Sequence, residues 1–351
     1  MITVSKNLDI LCQYDLNRLG NPEKLLFFDI ETTGLSPYAS SLYLIGCLYL
    51  EKNNWRLVQW LAESLQDELE MLHAFDSVLQ NFDTLVHFNG DTFDLPYLKT
   101  TAEQYGYRHS FDSPASFDIL KQLRKKKRFF GLPNLRLKSV EHFLGIERED
   151  RFSGGELIDV YQQYTQTKEE SLMRLFLLHN EDDLKGMIRI LPVLNYCNLI
   201  DSPSFDIYEH WFSASGAELF AVAKLNDIYP ASLSYETLQC VRFTLDKGEL
   251  RFRIPCVLGT MKYFYSDWKN YYYLPVEDTA IHKKVSSFVD PKYRKPATKD
   301  TCYTKVDGIF LPALPHMSGP VFKTALSDKT GYVQFSEPQL NAYLTETLRS
   351  I

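Results

Sequence analysis

Three short stretches of this chain gather residues able to do acid–base or metal chemistry. The first is Asp29-Ile30-Glu31, near the end of the apolar run LLFFDIETT. Residues two apart on a strand point to one face, so the two carboxylates stand side by side. Like charges at that spacing repel unless a cation lies between them. Hard divalent cations take oxygen ligands, and the pair reads as half of a metal site. On its own it reads better as an exposed strand end, since D-x-E is common by chance. The second stretch, HFNGDTFDLPYL at residues 87–98, passes from a short strand through a polar loop into a helix. It puts Asp94 in the first helical turn, where negative charge is favoured. Ordinary turn and cap chemistry would use the same residues. The third stretch, His179-Asn180-Glu181-Asp182-Asp183, lies inside an otherwise apolar helix. His179 and Asp183 are four apart and share a face, as a general base beside a metal ligand would. A solvated acidic patch is the plainer account of this stretch by itself.

The elements that must carry these residues follow from pattern. Residues 25–33, 42–50 and 55–61 are apolar runs separated by turn signals at 34–37 and 53–54, which predicts an antiparallel meander. Leu65, Leu69, Leu72, Phe75 and Leu79 recur at helical spacing. Residues 84–88 form a short strand, about 95–106 a helix, 116–123 a strand, and 135–144 a helix ending at Gly145. Thr167 and Glu170 fit a capping box for a helix whose buried stripe runs from Leu172 to Leu191. The order predicts an α/β layer design with a mixed sheet. Its boundary falls near 192–199. Residues 213–227 have a helical pattern, and 238–274 read as strands with a hairpin turn at Asp246-Lys247-Gly248. Residues 200–351 are therefore expected to form a smaller, strand-rich unit.

The bulk numbers narrow the class of protein. With 45% hydrophobic and 24% charged residues, the composition is that of a globular chain. A net charge of −7 excludes a protein held to polyanions by bulk charge, though not one with local basic patches. Residues 1–200 hold 21 Lys and Arg against 28 Asp and Glu, and residues 201–351 hold 17 of each, so the acidic excess lies in the first part. The six cysteines show no C-x-x-C spacing. No apolar stretch reaches membrane-span length and no signal-peptide core opens the chain, so a cytoplasmic location is expected.

Taken together and in this order, the three stretches resemble the DEDD superfamily of ribonuclease-H-like exonucleases. FDIETTG at 28–34 is similar to that superfamily's first motif. FNGDTFDLPYL at 88–98 looks like the second motif of family-B DNA polymerase proofreading domains, and His179-x-x-x-Asp183 resembles the third. Within the superfamily the sequence resembles the YprB-like bacterial group. The resemblance spans residues 20–195 and implies a ribonuclease-H-like mixed sheet flanked by helices. It implies that Asp29, Glu31, Asp94 and Asp183 hold two Mg²⁺ or Mn²⁺ ions, with His179 as general base. It further implies 3′–5′ hydrolysis of phosphodiester bonds. One departure stands out. The third motif has the spacing of the tyrosine-type members but carries His, which leaves Asp182 open as an alternative ligand.

A substrate path to such a site should be basic and aromatic. Residues 121–138 (KQLRKKKRFFGLPNLRLK) bring Lys125, Lys126, Lys127 and Arg128 beside Phe129 and Phe130. Cations can neutralise phosphates and exposed rings can stack bases. A solvated loop with two core phenylalanines fits equally. Lys125, Lys126, Arg128 and Phe129, with Thr32 and Asn89 beside the acids, are the expected contacts to single-stranded nucleic acid. A second basic run, Lys283-Lys284 and residues 292–299 with Tyr293 inside it, is a further candidate. The rival account is a non-catalytic nucleic-acid-binding module on the same fold, which leaves four acids and a histidine without a purpose.

Overall fold

A computed structural model describes residues 1–64, 66–148, 152 and 154–351. Leu65, one member of the expected helical stripe, lies outside the described residues. The chain divides into two units. The first comprises Met1–Cys197 with Ile228–Ala231, and the second Asn198–Asp227 with Ser232–Ile351.

The first unit is built on a six-stranded mixed sheet. Its elements in chain order are β1 (Ile2–Leu8), β2 (Leu25–Thr32), β3 (Leu42–Glu51), β4 (Asn54–Leu61), α1 (Asp67–Leu79), β5 (Thr84–His87), α2 (Asp94–Gln104), β6 (Ala115–Asp118), α3 (Ile119–Arg124), α4 (Lys127–Phe130), α5 (Leu137–Phe143), α6 (Gly154–Thr167) and α7 (Glu170–Ile190). Strand order across the sheet is β1-β4-β3-β2-β5-β6. The β2–β3–β4 meander is antiparallel, while β5 runs parallel to β2, and β6 to β5. That is the mixed α/β sheet the pattern predicts.

Strand periodicity sorts β2 between two cores. Leu26, Phe28 and Ile30 pack with Leu72 and Phe75 of α1 and Leu98 of α2. The opposite face of the sheet buries Tyr43, Leu44 and Leu61 with Tyr161 of α6 and Phe176 of α7. Asp29 and Glu31 alternate with Phe28 and Ile30, so they fall on the face that α7 covers.

Several elements differ from expectation. The strand expected over 116–123 stops at Asp118, whose side chain accepts from Lys121 N and caps α3. The expected capping box does not form. Thr167 ends α6, Lys168 turns the chain with φ +57°, and α7 starts at Glu170. Strand β1 carries a mostly polar sequence, as an edge strand with one wet side permits.

In the second unit the helix expected within 213–227 is instead a strand. Its five-stranded antiparallel sheet joins Asp206–Phe212, Glu218–Lys224, Glu249–Pro255, Arg242–Asp246 and Leu233–Glu236. Ala221 and Ala223 face inward beside Leu219, a period-two pattern that small residues disguise. The hairpin turn at Asp246–Gly248 is present, with Lys247 and Gly248 both at positive φ. A small closed barrel of Val257–Phe264, Tyr303–Pro312, Tyr332–Gln334 and Phe322–Lys323 follows, with a separate three-stranded sheet of Thr279–His282, Tyr271–Leu274 and Lys295–Pro296. Among the described residues no helix is long and apolar enough to cross a membrane.

Candidate active site

β2 pairs with β5 only as far as Phe27. Beyond it the edge of β2 lacks that strand partner, and Ile30 N donates instead to Asp94 Oδ1 at 3.3 Å. The N-terminus of α2 thus delivers Asp94 to the β2 backbone at Ile30, the residue between Asp29 and Glu31. Asp94 is 5% exposed, and its carboxyl is pushed up to about 7, mainly by burial. Asp118 and Asp183 add like-charge repulsion, partly offset by the Ile30 hydrogen bond. Burial also drives Asp29 well above the usual carboxylate range, with Asp183, Glu31 and Asp94 all raising it further. Four carboxylates therefore share one field.

α7 closes the site from the opposite side. His179 is buried, and its Nε2 lies 3.6 Å from Glu31 Oε1 and 3.8 Å from Asp183 Oδ2. Ligand atoms of Glu31, His179 and Asp183 all fall within 4.8 Å of one another. On α7, Asp183 joins this cluster, while the Asp182 carboxylate lies 3.7 Å from Lys185 Nζ. A concentration of partly and fully buried carboxylates whose charges oppose one another is the donor set that a hard divalent cation would satisfy.

Residues the motif reading passed over hold this arrangement. Asn180, wholly buried, donates to Asp29 Oδ2 at 2.9 Å and accepts from Gln59 Nε2 at 2.9 Å. Gly46 on β3 leaves the space Asn180 fills, since a Cβ there would lie 1.9 Å from Asn180 Oδ1. A glycine inside the apolar run LYLIGCLYL was the available signal, because glycine in a strand marks close approach. The Tyr43 ring is buried against Tyr161, and its hydroxyl is held protonated by burial and by Glu31 and Asp29 nearby.

Arg148 has no sequence signal. It pairs with Asp183 Oδ1 and with Glu141, a carboxylate 2% exposed. Asp183 Oδ2 is left facing His179. Gly186 lets this pair lie on α7, as a Cβ there would meet Glu141 Oε1 at 2.2 Å. Arg148→Met should destabilise the fold by about 3–5 kcal/mol, because it strands a buried carboxylate. Adding Glu141→Gln should recover much of that loss in urea unfolding. Equal stability of wild type and Arg148→Met would remove the pair from this role.

A second acid–histidine group, His87, Asp91 and Asp118, is tied into local hydrogen bonds. His87 Nδ1 accepts from Gly90 N at 3.0 Å, and Nε2 lies 2.8 Å from Ser116 Oγ, so both ring nitrogens are engaged. Burial lowers the His87 pKa, in keeping with a neutral ring. Asp118 accepts from Asn89 N at 3.0 Å, fixing the positive-φ turn at Asn89 that leads to Asp94.

The expected nucleic-acid contacts divide. Lys125 and Arg128 are exposed and Lys126 partly so. Asn89 Oδ1 is engaged by Arg124 and Thr92, and the Thr32 hydroxyl donates to the Gly34 carbonyl. Phe129 corrects the expectation. It is 2% exposed and Phe130 is buried with it, packing on Phe143 and Tyr196, so neither ring is open to a base.

Residues 26–195 match the sequence profile of the RNase H superfamily. That match takes in just under half of the chain. Over 210 residues, 58% of this chain, it is 29% identical to the YprB protein of Bacillus subtilis (strain 168). That match covers 48% of YprB, so it spans about half the relative's length. A DNA polymerase of Thermococcus litoralis is 33% identical over 96 residues, 24% of this chain and 6% of the polymerase. Among solved structures, the family B DNA polymerase of Pyrobaculum calidifontis aligns with a TM-score of 0.41 and 14% identity, over 71% of this chain and 35% of the other.

Proposed function

We propose that this protein is a divalent-metal-dependent nuclease that hydrolyses phosphodiester bonds of single-stranded nucleic acid from the 3′ end. The observation that carries the reading is the convergence of Asp29, Glu31, Asp94 and Asp183 with His179 Nε2 beside two of them. Asp29, Glu31, Asp94 and Asp183 would hold two Mg²⁺ or Mn²⁺ ions. When bound, such ions supply Lewis acidity at a phosphate and make water a better nucleophile at neutral pH. His179 Nε2 takes the proton of the attacking water, and the neighbouring Glu31 and Asp183 carboxylates stabilise the imidazolium that results. Asn180 fixes the orientation of Asp29, and Arg148 that of Asp183. Exposed Lys125 and Arg128, with Lys126, would meet substrate phosphates. Polarity and preference for single strands rest on the likeness of residues 88–98 to proofreading motifs and on the match to a DNA polymerase.

The test is a gel assay on 3′- and 5′-labelled single-stranded DNA and RNA with Mn²⁺, run beside EDTA and Asp29→Ala. A ladder that disappears with EDTA and in the variant is expected, and the labelled end that shortens first reports polarity. No cleavage by folded, Mn²⁺-loaded wild type would sink the hydrolase reading.

A further inference from the structure

The second unit carries a surface of its own that suits a polyanion with flat rings. The chain as a whole is acidic, yet residues 281–299 hold six Lys and Arg against a single Asp. They flank the three-stranded sheet of Thr279–His282, Tyr271–Leu274 and Lys295–Pro296. Three successive tyrosines on a strand normally bury at least one face. Here Tyr271, Tyr272 and Tyr273 all stay partly exposed, as does every residue of Thr279–His282.

Cations collect at those rings. Lys283 Nζ lies 5.3 Å and Arg294 Cζ 4.8 Å from the Tyr272 centroid, and Lys292 Nζ lies 4.8 Å from that of Tyr293. Arg294 is pinned there by Ser286, to which it donates at Oγ over 2.8 Å. Tyr271 stacks on Tyr265 at 4.6 Å, again with neither ring buried. Lys292 lies 3.5 Å from Asp290, and among the described residues Lys283, Lys284 and Lys295 have no carboxylate partner.

We propose that this sheet of the second unit is a binding surface for single-stranded nucleic acid. Lysines with no acid to neutralise them are free to meet phosphates, and wet tyrosine rings beside them offer faces for bases to stack on. A duplex, with its bases stacked internally, could use the charges but not the rings. The choice of nucleic acid over another polyanion rests on the hydrolase reading of the first unit.

The test is fluorescence anisotropy with a labelled single-stranded oligonucleotide and the full chain in EDTA, so that binding is read without cleavage. Wild type is compared with Lys283→Ala/Lys284→Ala/Lys295→Ala and with Tyr272→Leu, each checked by circular dichroism. The triple variant should bind about tenfold more weakly, and its log–log salt slope should flatten by about 2, since each lost phosphate contact is worth about 0.7 on a single strand. Tyr272→Leu should weaken binding severalfold and leave the slope unchanged. Wild-type affinity and slope in a folded triple variant would overturn the proposal. So would sedimentation with phosphatidylserine vesicles by a chain that binds no oligonucleotide. Cleavage with Mn²⁺ is scored separately: a chain that cuts but whose triple variant binds normally refutes this surface alone. A chain that binds through these lysines but never cuts refutes only the hydrolase.

Discussion

Asp94→Asn is expected to lower hydrolysis by about a thousandfold or more and, in the same protein, to stabilise the metal-free fold at alkaline pH. The first effect follows because a carboxylate that holds metal at a developing charge contributes several kcal/mol, and about 1.4 kcal/mol is a factor of ten in rate. The second follows from the burial of Asp94. Its carboxyl titrates at about 7 in the fold and at an ordinary 3.8 when unfolded. The folded state therefore binds the proton more tightly than the unfolded state. The stability this lends is complete below about pH 4 and is lost as pH rises to about 7. Asp29, raised in the same direction, adds to the loss. Asn keeps an oxygen to accept from Ile30 N and has no charge to bury. Its advantage in EDTA should be absent near pH 4 and reach a ceiling of about 4 kcal/mol by pH 8. Thermal unfolding at several pH values, paired with Mn²⁺-dependent rates, reads both effects. A variant that keeps wild-type activity, or whose unfolding follows the wild-type pH profile, would remove Asp94 from the site.

The second large effect should come from Gly46→Ala, a substitution that touches no acid. The added methyl would stand 1.9 Å from Asn180 Oδ1. Asn180 cannot swing aside cheaply, because it is wholly buried and bonded to both Asp29 and Gln59. Either those bonds break or α7 moves off the sheet. Overpacking and lost buried hydrogen bonds together should cost about 3 kcal/mol or more. Displacing α7 also carries His179 and Asp183 away from Glu31, so activity should fall with stability. Combining Gly46→Ala with Asn180→Ala removes the obstruction. The double variant should be more stable than the sum of the two single losses, a coupling that urea unfolding measures. Wild-type stability in Gly46→Ala would show that the contact is soft.

Much of this site is legible from local periodicity. A period of two along β2 puts Asp29 and Glu31 on one face whatever lies around them. A helical repeat does the same for His179 and Asp183, and the runs at 42–50 and 55–61 are strands because apolar residues bounded by turn signals leave few other choices. These are properties of a residue and its near neighbours, and the sequence contains them in full.

The rest depended on partners distant in the chain. Only packing shows that Asp94 takes the hydrogen-bonding place of a missing strand beside Ile30, 64 positions away. Likewise only packing places Asp183 rather than Asp182 in the cluster, and links Asn180 to Gln59 across 121 positions. Arg148 and Glu141 acquire meaning only where Gly186 lets them lie on α7. The basic run at 121–128 was visible as charge, but whether Phe129 met solvent or core was set by the neighbours it packs beside. The strand at 218–224 stayed hidden because small residues leave a weak alternation that sheet pairing completes. Sequence thus determined which side chains could act together on each element, since backbone geometry alone orients them. Tertiary structure decided which of them meet, how deeply they are buried and therefore how they ionise, because those depend on the summed field and packing of segments far apart in the chain.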